Sequence, residues 1–169
     1  LQGRALARAA AVVTVSDGCR DRLWALHPEL GDRVHVLTNG FDPALLARRL
    51  TAPPQPETRA RILFAGSLYG DHTAEPLVEA VARPELRGRA QLEFVGVIDP
   101  RTRHALAEAG VDASVDPPIS WSEAIERMLG AEIAVAITTP SAGGDMALPI
   151  KLFEALALGR PALVLARPN

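Results

Sequence analysis

The chain has 169 residues, 48% apolar and 22% charged, with a mean hydropathy of +0.10. That composition excludes a disordered or fibrous chain and fits one ordinary domain with a sizeable core. A formal charge of -2, from 18 basic and 20 acidic residues, and only seven aromatic residues argue against a nucleic-acid surface; the expected partner is a small molecule.

In chain order, Leu1 to Ala10 has helical character, AVVTV (11–15) is strand-like, and Asp17 to Leu30 is a helical stretch with Asp17 placed to cap it. VHVL (34–37) is the next strand. A turn cluster, Asn39-Gly40-Phe41-Asp42-Pro43, and the proline-rich TAPPQP (51–56) follow, so residues 39–60 read as a linker. Beyond it, strands at ILFAG (62–66), LEFVGV (92–97), IAVAI (133–137) and ALVLA (162–166) alternate with helical stretches at Ala74–Ala82, Pro100–Ala109, Trp121–Leu129 and Pro149–Leu158. Ser120 is placed to cap the helix that starts at Trp121, and Pro149 suits the first turn of the last helix. The strands are nearly continuous in apolar character, as strands covered on both faces require. The pattern predicts an α/β fold: a Rossmann-like parallel sheet with helices on both faces.

Residues 1–38 are too few to fold alone and look like the end of a preceding domain; residues 61–169 form a second unit whose final strand lacks a cover. A fragment of a larger protein is the expectation. No apolar run approaches the length of a spanning helix, residues 1–15 lack a signal-peptide layout, and the single cysteine, Cys19, can form no internal disulfide. A cytoplasmic protein is expected. Of the 18 basic residues 17 are arginine, a mark of a high-GC bacterial genome that leaves Lys151 as the sole lysine.

Lys151 falls in the first turn of the last helix, where the helix dipole disfavours a cation. A lysine there needs an anion, and helix N-termini beside the carboxyl ends of parallel strands are phosphate sites. Glu154, three residues on, shares that face and can accept two sugar hydroxyls. The plainer alternative is an i, i+3 ion pair between Lys151 and Glu154, worth about 0.2–0.5 kcal/mol.

The order AVVTVS (11–16), VHVLTNGFD (34–42), ILFAGSLYG (62–70), LEFVG (92–96) and PIKLFEALALGRPALVL (149–165) resembles the retaining, glycogen-synthase-like glycosyltransferases of the GT-B fold. The resemblance covers nearly the whole chain. It implies a two-domain enzyme that transfers a hexose from a nucleotide-diphosphate sugar to an acceptor in the cleft between its domains. Residues 1–38 would end the acceptor domain, 39–60 link the two, and 61–169 form most of the donor domain. It further implies that Glu154 holds the donor ribose, that Lys151 stands near the donor phosphates, and that the Gly66-Ser67-Leu68 turn approaches the diphosphate. Asn39 and Gly40 would lie in the interdomain cleft, and Pro118 and Ile119, within 115–119, against the base. A carboxylate eight residues before Glu154 usually meets the transferred sugar; that position is Met146, with Asp145 beside it as the candidate replacement. Family members usually carry Arg after the glycine and Lys or Arg five positions later, where this chain has Ser67 and His72.

No metal or other cofactor is expected: GT-B transfer usually needs none, and the histidines at 27, 35, 72 and 104 have no metal spacing. The sequence names neither nucleotide, sugar nor acceptor, and leaves peripheral membrane contact open. No dinucleotide-binding glycine motif, phosphate-loop signature or Gly-x-Ser-x-Gly elbow is present. The alternatives are a non-catalytic relative that binds a nucleotide or stabilises a partner and, with less support, a sugar-nucleotide epimerase on the same scaffold.

Overall fold

The computed structural model describes residues 2–50, 59–70, 72–138 and 148–166. Helix α1 (Gln2–Arg8), strand β1 (Val12–Thr14), helix α2 (Asp17–Leu26), a 3-10 segment (Pro28–Arg33) and strand β2 (Val34–Val36) form the front of the chain. β1 and β2 pair in parallel, Val12 opposite Val34. The expected helix over 17–30 is two pieces, because Pro28 has no amide to continue α2 and the chain restarts as a tighter turn. Asp17 is not the cap: the Ser16 side chain accepts from the Cys19 amide at 3.1 Å, and Asp17 is the first helical residue, where its charge suits the dipole.

A second 3-10 segment (Pro43–Arg48) lies inside the stretch read as linker. It is packed, with Leu45 only 2% exposed, and the Leu50 amide just beyond it donates to the Leu158 carbonyl at 3.0 Å. The proline-rich residues 51–56 lie outside the described residues.

The remainder is a five-stranded parallel sheet in the order β5-β4-β3-β6-β7, from β3 (Ala60–Ser67), β4 (Ala90–Val97), β5 (Ala113–Asp116), β6 (Ile133–Ile137) and β7 (Ala162–Leu165). Helices α3 (Glu75–Ala82) and α4 (Pro100–Ala109) connect β3 to β4 and β4 to β5, α5 (Trp121–Gly130) crosses from β5 to β6 on the other side of β3, and α6 (Ile150–Ala157) connects β6 to β7. Period-two alternation divides the core. Ile62, Phe64, Leu92, Phe94, Val135 and Ile137 pack with α3 and α4, whereas Leu63, Val95 and Ala134 pack with α5, α6 and Leu45. Phe94 and Leu92 are 1% and 0% exposed, and each contributes about 1.5–3 kcal/mol by leaving water. The α/β Rossmann-like expectation therefore matches the fold, helices on both faces included.

Strand β5 was not expected. Its Ala-Ser-Val-Asp sequence has no apolar run, and as an edge strand it pairs with β4 alone. Ser120 caps α5 as expected and adds a reciprocal bond, its own amide donating to Glu123 Oε2 at 2.9 Å. Pro149 is the residue before α6, not its first residue, and provides no side-chain cap. The first amides of α6 thus depend on other partners.

Candidate functional site

The sheet order reverses between β3 and β6, the place where an open α/β sheet leaves a crevice beyond its strand ends. A cleft of about 590 Å³ opens there. The ends of β3 and β4 form its floor through Gly66, Ser67 and Gly96; Pro118, Ile119 and Trp121 line it after β5; Ile150, Lys151 and Glu154 line it from α6. Asn39 reaches it from the front of the chain, its Nδ2 donating to the Leu148 carbonyl at 2.9 Å. A smaller cavity of about 170 Å³ shares Asn39 and is lined by Val15, Ser16, Thr38, Leu148 and Phe153.

The close approach of β3 to α6 depends on glycine. Gly66 has φ 152°, and a side-chain carbon there would run into Lys151 Nζ. With that space open, Nζ lies 4.3 Å from the centroid of the Phe64 ring. Burial pushes the Lys151 ammonium below the ordinary lysine value, and Glu154 acts the other way. Among the described residues no carboxylate lies within ion-pair distance of Lys151. The i, i+3 ion pair considered for Lys151 and Glu154 is therefore not formed. Glu154 Oε1 instead accepts from Trp121 Nε1 at 2.7 Å.

Seven of the expected site residues meet in this one cleft: Asn39, Gly66, Ser67, Pro118, Ile119, Lys151 and Glu154. Gly66 and Ser67 are the end of β3 and not the start of the turn, which begins at Leu68, whose amide donates to the Val97 carbonyl at 2.7 Å. His72 and Gly40 do not line the cleft. His72 stacks on Tyr69 with ring centroids 5.3 Å apart and planes 11° from parallel. Asp145 and Met146 lie outside the described residues. Trp121, Gly96 and Ile150 were not singled out from sequence; the only available signal was their nearness to strand ends and the helix start. Among the described residues no cluster of three His, Cys, Asp or Glu side chains could hold a metal ion. Nor is any helix among them long and apolar enough to cross a membrane.

No protein-family model and no curated protein matches the sequence. Solved structures do. The chain superposes on WaaG, a glycosyltransferase involved in lipopolysaccharide biosynthesis, with a TM-score of 0.65 and 21% identity over 90% of its length. On the apo form of WaaB, a lipopolysaccharide outer core galactosyltransferase, the TM-score is 0.62 with 18% identity over 92%. It spans less than half of either protein, 43% in both cases. At this identity the likeness shows the fold: an α/β Rossmann-like unit of the kind found in GT-B glycosyltransferases.

Proposed function

We propose that the chain carries the nucleotide-sugar site of a glycosyltransferase, which transfers a hexose from a nucleotide-diphosphate sugar to an acceptor with retention. The observation that carries this reading is the convergence on one cleft beyond the carboxyl ends of the strands of Glu154, the start of α6, which has no side-chain cap from Pro149, and Lys151, which among the described residues has no ion-pair partner. Residues 1–38 are proposed as the end of the acceptor domain, 39–60 as the connection and 61–169 as the donor domain. The proposed setting is bacterial cytoplasm.

Breaking the sugar–phosphate bond develops negative charge on the departing nucleotide diphosphate. Lys151 and the first-turn amides of α6 face the place where that charge grows, so their interaction strengthens in the transition state. Lys151 carries this charge stabilisation without a metal in the proposed chemistry. Glu154 holds the ribose hydroxyls, and Pro118 and Ile119 support the base. Gly66 lets the diphosphate approach the end of β3, and Asn39 borders the acceptor side. Asp145 is proposed to meet the transferred sugar.

Thermal denaturation with UDP, GDP, ADP and dTDP tests the reading. A nucleotide at about 100 times its Kd adds about 2.7 kcal/mol of stability. The expected result is stabilisation by one of the four, lost in Glu154→Ala and Lys151→Ala. In the full-length enzyme Lys151→Ala lowers turnover at least about tenfold. A folded full-length protein that binds a nucleotide and transfers no sugar would favour the non-catalytic alternative.

A further inference from the structure

Lys151 and Glu154 are three residues apart on one helical face, the spacing at which opposite charges find each other. A neutralised pair would offer a ligand neither a free cation nor a free carboxylate. The structure prevents this with two aromatic side chains from other elements. Phe64 on β3 holds the ammonium against its ring at 4.3 Å, and Trp121 at the start of α5 holds Glu154 Oε1 through its indole N–H at 2.7 Å.

The two aromatics are anchored on separate elements. Phe64 is 2% exposed and packs on Phe94 with centroids 6.2 Å apart. Trp121 is about half exposed, but its backbone is fixed by the reciprocal Ser120–Glu123 cap. Gly66, having no side chain, leaves the space that Nζ fills. Among the described residues Glu154 is the one charged group that acts on Lys151.

We propose that Phe64 and Trp121 are positioning residues that hold Lys151 and Glu154 apart, keeping the cation free for a phosphate and the carboxylate free for sugar hydroxyls. This rests on the nucleotide-sugar reading of the cleft and adds to it the reason that two opposite charges remain usable there. Trp121 occupies one oxygen of Glu154, and among the described residues the second has no partner. A donor sugar therefore meets a carboxylate already aimed, with no internal ion pair to break first.

Because Lys151 is the only lysine, a chain grown with [ε-13C]lysine gives one side-chain resonance that can be titrated without ligand. The comparison is wild type, Trp121→Phe and Trp121→Phe/Glu154→Gln, with circular dichroism to show that each is folded. Trp121→Phe keeps a ring and removes the donor. Its Lys151 midpoint is expected to rise by about half a pH unit or more as Glu154 turns to the ammonium, and Glu154→Gln in the same chain is expected to cancel the rise. Phe64→Leu removes a ring contact that by itself favours the charged amine, so the part of its midpoint that Glu154→Gln abolishes is the measure of the ammonium turning to Glu154. An unchanged midpoint in folded Trp121→Phe, or a Phe64→Leu midpoint that adding Glu154→Gln does not lower, overturns the proposal, since a merely structural role would not act through Glu154.

A second arm adds UDP, GDP, ADP and dTDP in turn. The nucleotide that moves the wild-type resonance is expected to bind Trp121→Phe about fivefold more weakly. If none moves it while the variants show the rise, the charge separation is upheld and the nucleotide-sugar reading is the part that fails.

Discussion

Gly66 and Gly96 face each other in register across β3 and β4, and a side chain at either is strained. A carbon added at Gly96, where φ is 126°, would overlap the Gly66 carbonyl; one added at Gly66 would displace the Lys151 ammonium. The floor of the cleft is thus two backbones in close contact, and Lys151 from α6 reaches over the bare Gly66. The two substitutions have different main effects. Gly96→Ala is expected to cost about 2–4 kcal/mol, from backbone overlap and an unfavourable φ. Gly66→Ala is expected to weaken nucleotide binding at least about tenfold, because it moves the cation. Urea unfolding and nucleotide titration of both variants check this. Equal nucleotide affinity in Gly66→Ala and wild type would refute the placement.

The strands were legible where burial on both faces left a continuous apolar run, as in Ile62 to Ala65 and Ile133 to Ile137. Strand β5 was not, since an edge strand tolerates Ser114 and Asp116, and its pairing with β4 is a long-range fact. The sequence placed Lys151 and Glu154 on one face and stopped there. Whether they pair is decided by Phe64 and Trp121, 87 and 33 residues away from their respective partners, and no local spacing reports such a contact. The cap at Ser16 was misassigned to Asp17 because either residue type suits the position, and only backbone geometry distinguishes them.

Glu93 faces α5 from the middle of β4 and is 9% exposed. Its carboxylate pairs with Arg127, which also reaches Asp116 at 2.9 Å, tying α5 to both β4 and β5. Removing Arg127 leaves a desolvated carboxylate behind. Arg127→Ala is therefore expected to cost about 1–3 kcal/mol, discounted because the arginine itself is partly exposed. Glu93→Leu with Arg127→Leu is expected to recover part of that loss, since the buried carboxylate leaves with its partner and only the more exposed Asp116 is left unpaired. Chemical denaturation of the single and double variants measures the coupling, and strict additivity would contradict it.

Thr102, with no exposed surface, joins the starts of α3 and α4. Its hydroxyl accepts from the Ala74 amide at 2.8 Å and donates to Asp99, whose other oxygen accepts from the Arg101 and Thr102 amides. Thr102→Val preserves shape but orphans a buried amide and a carboxylate oxygen. A loss of about 2–3 kcal/mol is expected, with Thr102→Ser losing about half as much or less because it retains the hydroxyl. If valine proved neutral by thermal unfolding, the network would have no role in holding the two helix starts together.

Lys151 sets opposite pH trends for stability and for binding. Burial holds its pKa below the ordinary 10.5, with Glu154 opposing. Between that lowered value and the unfolded one, the unfolded chain binds more protons than the folded chain, so ligand-free stability rises with pH across that window. Below it the burial penalty is present in full. Anion binding needs the protonated amine, so nucleotide affinity falls as pH rises through the lowered value, at lower pH than an exposed lysine would show. Lys151→Met is expected to bind about tenfold more weakly at neutral pH and to lose the alkaline dependence. Calorimetric titration of a nucleotide from about pH 7 to about pH 10, in wild type and in Lys151→Met, separates this from general alkaline unfolding. If wild type and Lys151→Met declined in parallel, the dependence would belong to another group.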